Sequence, residues 1–370
     1  MFTRYQRQIA LKEFGQLSQE KLREAKVLVI GAGGLGCPAL QYLAAAGVGT
    51  IGIVDFDVIE ISNLQRQILY AFDDIGKLKA EIAAAKILAL NPEIKTEFYA
   101  LQIANHNALE LISNYDVVID GSDNFTTRYL LNDACVLLGK PLIYGAVLRF
   151  EGQVGVFNLA DAFSNVKTNY RDLFPIPPDA SSSLSCSEAG VLGVLPGIIG
   201  TMQATEAIKI ITGIGKPLSN TIISYNALSN SFYEFHVLPN EKSNELMPKD
   251  KNSFLNFNYD WFCNSQFDSE INANQFDALL LSERLTIIDV REENELPLVD
   301  EFSCLRIPLG EFDSAIEGLL SENTIVVFCK SGKRSLVACK MISKKYPDKK
   351  VYSLKNGIEA WKISHKNSTQ

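Results

Sequence analysis

The chain has 370 residues, 47% hydrophobic and 21% charged, with a formal net charge of −8, which points to more than one domain and to a sizeable buried core. The acidic balance argues against a general nucleic-acid binder, and no apolar run approaches the roughly 18 residues of a membrane span. The polar start, carrying Arg4, Arg7 and Lys12, shows no secretory signal, and seven scattered cysteines fit a reduced, cytoplasmic setting better than a disulfide framework.

In chain order, residues 26–30 read as a buried strand, 31–36 as a turn and 37–46 as a helix. A second strand covers 50–54, and a helix over 77–90 is stopped by Asn91-Pro92. Short apolar runs follow at 116–120 and 141–146. This alternation predicts an α/β fold with a mostly parallel sheet covered by helices. Residues 161–187 break it with three prolines and a serine cluster, so they read as a long loop of the kind that often serves function. An apolar helix over 191–212 comes next, then paired strands at 222–225 and 231–237. The stretch 239–270, rich in Asn, Ser, Lys and Phe, reads as a linker whose aromatics pack in part on a neighbour. From 271 to 370 a second, smaller α/β pattern has strands at 286–290, 324–328 and 350–353.

Gly31-Ala32-Gly33-Gly34-Leu35-Gly36 sits between a strand and a helix. Glycines let the backbone approach a phosphate, and the helix N-terminus adds N–H groups and positive dipole. Asp55, at the end of the next strand, suits ribose hydroxyls. To this point NAD, FAD and ATP are equally served. Then come Asp55-Phe56-Asp57, Ser62-Asn63-Leu64-Gln65-Arg66-Gln67, Lys79 and Asp120-Gly121-Ser122-Asp123-Asn124, with Arg128, Asn132 and Asp133 behind. Cations at Arg66 and Lys79 suit a triphosphate. Asp123, just past a strand end, suits Mg²⁺, or else caps the helix beginning near Phe125; Asn63 serves either a ligand or a short helix cap.

These ordered motifs, preceded by Arg4-Tyr5-Gln6-Arg7-Gln8, resemble the ThiF/MoeB/HesA group of adenylyltransferases, relatives of ubiquitin-activating enzymes, over residues 1–238. The resemblance implies a Rossmann-like sheet with an added antiparallel part. It implies ATP and Mg²⁺ as cofactors and adenylation of the C-terminal glycine of a small ubiquitin-like sulfur carrier ending in Gly-Gly. In these terms Gly31, Gly33, Gly34, Gly36, Asp55, Asp57, Ser62, Leu64, Gln65 and Asn124 would surround the nucleotide. Asn63, Arg66 and Lys79 would hold phosphates, Asp123 would bind Mg²⁺, and Arg7 would reach across a homodimer interface to the partner's ATP.

Cys186, in Ser185-Cys186-Ser187-Glu188, precedes the apolar helix, a position that favours thiolate. The resemblance makes it a candidate acceptor of the activated carrier or of sulfur; the alternative is a small packing residue. Many relatives hold zinc with two Cys-x-x-Cys pairs. This chain has none, and Asn169-Tyr170-Arg171-Asp172 stands where the first would fall, so no zinc is expected.

Cys329-Lys330-Ser331-Gly332-Lys333-Arg334-Ser335 lies between a strand and a helix, where backbone N–H groups converge on an anion and nearby cations favour thiolate. With Asp289-Val290-Arg291 upstream and Gly357 to Trp361 downstream, it resembles a rhodanese active loop, implying that Cys329 carries a persulfide supplied by a donor such as a cysteine desulfurase. The segment before Pro308 departs from the rhodanese pattern. A cysteine phosphatase would need a longer loop between Cys and Arg. The sequence thus predicts an adenylyltransferase joined to a sulfurtransferase, in molybdopterin, thiamine or another sulfur pathway. An NAD-dependent redox enzyme and a non-catalytic carrier-binding scaffold remain as alternatives.

Overall fold

In the computed structural model, residues 3–161, 165–177, 190–240, 247–264, 270–281, 285–316, 324–346 and 348–367 are described. They fall into two units, Met1–Tyr259 and Asp260–Gln370.

The first unit is built on strands β1 (Lys26–Ile30), β2 (Thr50–Val54), β3 (Lys95–Tyr99), β4 (Val117–Asp120), β5 (Leu142–Leu148), β6 (Glu151–Phe157), β7 (Thr221–Asn226) and β8 (Ser231–His236). Their order is β3-β2-β1-β4-β5-β6-β7-β8, parallel as far as β5 and antiparallel beyond it. The central strands β1, β2 and β4 are buried almost end to end, as a parallel sheet with helices on both faces requires. Ile30 stands opposite Val54 on one side and Asp120 on the other. Gly31, Asp55 and Gly121 therefore leave the sheet side by side. The winding reverses between β1 and β4, the place where open α/β sheets form a ligand crevice.

Two helices start later than the sequence pattern suggests, and the reason is the same. Residues 77 and 78 are drawn into pairing with the chain after β2: the Ile59 N–H donates to the Lys77 carbonyl and Val58 bridges Leu78. The helix then begins at Lys79 and runs to Leu90. Val191 bridges Arg149, with N–H groups of Arg149 and Leu192 donating across the pair, so the long apolar helix is Val194–Thr212. That helix is apolar nearly all round because it packs between the Gly36–Ala46 helix and strands β5 and β6. It is not long and apolar enough to cross a membrane, nor is any other helix among the described residues.

The loop after β6 is tied down by polar contacts. Asn169 caps the short Tyr170–Leu173 helix, and Asp172 accepts N–H groups of Asn169 and Asn240, each at 2.8 Å. Arg171 and Asp133 are both fully buried, with bidentate bonds of 2.8 and 2.7 Å. The Tyr259 hydroxyl donates to the same carboxylate at 2.8 Å. The 239–270 stretch, read from sequence as a linker, thus contributes Tyr259 to this cluster and a helix, Lys251–Asn256, whose Phe254 is fully buried. Asn105 donates to the carbonyls of Phe254 and Phe257.

The second unit has β9 (Glu270–Ile271), β10 (Leu285–Asp289), β11 (Leu305–Arg306), β12 (Thr324–Phe328) and β13 (Lys350–Leu354) in the order β11-β10-β12-β13-β9, every pair parallel. Ile325, Val327, Cys339 and Ile342 form one side of its core, and Phe276, Phe328 and Trp361 the other.

A buried ion pair that loses one partner leaves an uncompensated charge, which costs about 3–5 kcal/mol. Asp133→Asn is therefore expected to lower the unfolding free energy of the chain, extrapolated from urea denaturation, by that amount; an unchanged free energy would contradict the packing described for Arg171.

Candidate functional site

A cavity of about 320 Å³ opens at the carboxyl ends of β1, β2 and β4. Its floor is the glycine turn. Gly31 has φ +90°, and a Cβ there would lie 2.7 Å from the Gly121 carbonyl oxygen. Gly36 is equally constrained, since a Cβ would fall 1.9 Å from the Gly31 oxygen, but it packs behind the turn rather than facing the cavity.

Ala32 is held from both directions. Its N–H donates to Asp55 Oδ2 at 2.8 Å, and its carbonyl accepts the Tyr70 hydroxyl at 2.8 Å. Asp55 Oδ1 takes the Asp57 N–H at 2.9 Å. Burial holds the Asp55 carboxyl above its usual range, while the Asp57 N–H, the Lys79 charge and the Ala32 N–H pull it back. The result is a braced turn whose Gly31, Gly33 and Gly34 line one cavity together with Asp55. It fits a nucleotide: a side chain at Gly31 would collide with the next loop, and the buried Gln67 Oε1 on the wall has no hydrogen-bond partner.

Cations line the other side. Lys79 is buried, and its Nζ donates to Asp57 Oδ2 at 2.8 Å, while the Asp57 side chain is 51% exposed. A phosphate entering the cavity would compete with that exposed carboxylate for the ammonium. Arg66 is half-buried, its guanidinium donating to the Ser62 carbonyl at 3.1 Å. Arg128 donates to the carbonyls of Ser122 and Gly145 and stands 3.8 Å from the buried Asp120. Burial raises the Asp120 carboxyl, opposed by the Arg128 charge and the Ser122 hydroxyl.

Of the expected nucleotide residues, Gly31, Gly33, Gly34, Asp55, Asp57, Asn63, Arg66, Lys79, Asp123 and Asn124 line this one cavity. Ser62, Leu64 and Gln65 stand outside its wall: Ser62 bonds Glu60, and Leu64 packs on the core. Asn63 both faces the cavity and caps its own turn, accepting the Glu60 N–H at 3.1 Å. Asn124, not Asp123, caps the Phe125–Leu138 helix, accepting the Thr127 N–H at 2.8 Å, so the Asp123 carboxylate is left exposed at the rim. Arg7 is exposed in the short Gln6–Ile9 helix and does not line the cavity of its own chain. Cys186 lies outside the described residues. Sequence reasoning did not find Leu101, Gln102 and Ile103, which close the cavity after the polar edge strand β3; nothing in that stretch marks it as a site. Gln67, inside the Ser62–Gln67 motif, and Arg128, just behind Asn124, carried a usable signal but were given no role.

In the second unit Cys329 directly follows β12, fully buried, with the Lys333–Lys345 helix starting behind it. The Gly332 N–H donates to its sulfur at 3.2 Å and the Ser335 hydroxyl at 3.5 Å. Burial pushes the thiol up, but the Ser335 hydroxyl and the N–H groups of Ser335, Ser331 and Arg334 outweigh it, and the thiol lies below its ordinary value. Lys330 and Lys333 are exposed around this loop. Asp289 and Arg291 are partners of each other, at 2.8 and 2.7 Å, and do not reach the sulfur as donors.

Residues 5–247 match the model of the ThiF family, and residues 272–364 that of the rhodanese-like domain. The chain is 40% identical over 370 residues to a Mycobacterium tuberculosis protein named probable adenylyltransferase/sulfurtransferase MoeZ, which covers 97% of this chain and 92% of that one. It is 50% identical over 239 residues to the sulfur carrier protein adenylyltransferase of Thermus thermophilus, covering 65% of this chain and 88% of that one. Among solved structures, Escherichia coli MccB crystallised with ATP is 26% identical with a TM-score of 0.52, covering 61% of this chain and 67% of that one.

Removing one neutral hydrogen bond costs about 1 kcal/mol, roughly fivefold in an equilibrium constant. Tyr70→Phe, which leaves the Ala32 carbonyl only the Cys37 thiol at 3.4 Å, is expected to weaken ATP binding by up to that factor in calorimetric titration; unaltered affinity would mean that the cradle does not depend on this bond. For Cys329 the sign is that of a depressed acid: thiolate persists as pH falls and is lost only below the lowered value. The rate of Cys329 alkylation by iodoacetamide against pH should rise below the ordinary thiol range, and Ser335→Ala should shift that rise to higher pH. Coincident profiles would refute the role given to the Ser335 hydroxyl.

Proposed function

The chain belongs to the ThiF family and carries a rhodanese-like domain, and from that premise we propose that it is an ATP-dependent adenylyltransferase and sulfurtransferase that activates a small ubiquitin-like sulfur carrier. The observation that carries the reading is the one cavity that the glycine turn, closed to any side chain at Gly31, shares with Lys79, Arg66 and Arg128. A dinucleotide has two phosphates to neutralise and no pyrophosphate to release; this density of cations suits a triphosphate better.

The carrier's C-terminal carboxylate is a poor electrophile, because its leaving group would be oxide. Attack by that carboxylate on the α-phosphorus of ATP expels pyrophosphate and forms a mixed anhydride. Lys79 and the arginines lower the barrier by meeting charge that grows on the phosphate oxygens, and the fixed Asp55–Ala32 contact keeps the cradle from reorganising as it does so. Asp123 and, with Lys79 withdrawn, Asp57 are the carboxylates that would hold Mg²⁺; the ion would neutralise phosphate charge. Arg7, exposed and not part of the wall of its own cavity, is assigned to the cavity of a second copy in a homodimer.

Cys329 accepts sulfane sulfur from a donor and becomes a persulfide. Its terminal sulfur attacks the acyl carbon of the anhydride, AMP leaves, and an acyl disulfide joins carrier and Cys329. A second thiol then attacks the Cys329 sulfur, releasing the carrier thiocarboxylate and forming a disulfide, which an external dithiol reduces. Cys186 is the candidate for that thiol.

In a mixture of carrier, ATP, Mg²⁺, a cysteine desulfurase with cysteine, and reductant, intact-mass measurement should detect carrier thiocarboxylate with the full chain. Cys329→Ser should abolish it while leaving acyl-adenylate formation intact. Full thiocarboxylate yield from Cys329→Ser would end the sulfurtransferase half of the proposal.

A further inference from the structure

Arg334, the second cation after Gly332 in the sulfur loop, is already engaged. Its Nη2 makes an ion pair with Glu295 Oε1, the two side chains being 35% and 23% exposed. Glu295 is not a loose surface carboxylate. The loop that bears it is pinned by Arg291, whose Nη1 donates to the carbonyls of Pro297 at 2.8 Å and Glu295 at 3.3 Å, while the same guanidinium is clamped on Asp289. The Glu295 N–H further donates to the Glu292 carbonyl at 3.1 Å. Arg334 is close enough to feel the charges of Cys329 and Glu292 as well as that of Glu295, and the pair drives the Glu295 carboxyl below its usual range.

From this preorganised pair we infer that Glu295 is a donor-specificity residue: by neutralising Arg334 beside Cys329, it disfavours dianionic sulfur donors and leaves the loop suited to sulfane sulfur carried on a thiol. The inference rests on the reading of Cys329 as the persulfide carrier. Chemically, the Cys329 thiolate attacks the outer sulfur of thiosulfate, the sulfur–sulfur bond breaks, and sulfite leaves with the electron pair. Thiosulfate brings two negative charges to the mouth of the loop. An ion-paired guanidinium offers them little, whereas a free one would attract them, and more strongly than a monoanion such as methanethiosulfonate, whose leaving group is a sulfinate.

The test uses the full-length chain with cyanide as acceptor, so that each turnover releases thiocyanate and regenerates the thiolate. Glu295→Gln should lower KM for thiosulfate about three- to tenfold. The change for methanethiosulfonate should be smaller, kcat should stay within about twofold, and the gain should fade with added salt as screening grows. The double variant Glu295→Gln/Arg334→Gln should lose the gain, which separates charge release from a general loosening of the loop; melting temperature and Glu295→Asp, which keeps the charge, control for folding. Equal KM shifts for the two donors, a salt-independent shift, or a gain that survives in the double variant would overturn the inference alone. Absence of Cys329-dependent thiocyanate in both wild type and Glu295→Gln would overturn the persulfide reading and this inference together.

Discussion

The first unit depends on one backbone position being held from two sides. Ala32 gives its N–H to Asp55 and its carbonyl to Tyr70, and those two side chains come from different parts of the chain after β2. The turn they clamp cannot take any other residue at Gly31 without striking Gly121. Sheet register brings Gly31, Asp55 and Gly121 to one level, and the clamp then holds the turn that carries Gly33 and Gly34 on the cavity wall. Positioning of this kind is the part of phosphate chemistry that a protein can supply without covalent participation.

The same economy governs the cations. Lys79 is carried into the cavity because residues 77 and 78 pair with the chain after β2 instead of extending the helix. Its N–H donates to the Asp57 carbonyl at 2.9 Å and its ammonium to the Asp57 carboxylate, so both ends of the residue are referenced to one partner. The second unit repeats the principle with sulfur in place of phosphate. There the N–H groups of a short loop and one hydroxyl converge on Cys329, and they prevail over the burial that would keep the thiol protonated.

Much of this was legible in the sequence, for definable reasons. Strands buried on both faces are continuous apolar runs, so β1, β2 and β4 stood out, and glycine turns at their ends marked the site. The edge strand β3 and the residues that follow it, Leu101 to Ile103, were not legible, because a half-exposed polar strand has neither alternation nor motif. The late helix starts at Lys79 and Val194 arise from bridges to distant residues, which local pattern cannot contain. The sequence pattern pointed to Asp123 as the alternative cap of the helix near Phe125, and geometry gives that task to Asn124 instead, one residue on. Glu295 was invisible for another reason: a single acidic residue in a polar loop gains meaning only from the arginine beside it in space.

The central claim is that the cavity formed by the clamped turn and its cations activates a carboxylate with ATP. The most direct measurement is carrier-dependent exchange of labelled pyrophosphate into ATP, with a small carrier ending in Gly-Gly. Exchange should require the carrier's terminal carboxylate and disappear in Lys79→Ala. Carrier binding without exchange, or nicotinamide-dependent hydride transfer at the same cavity, would contradict that claim.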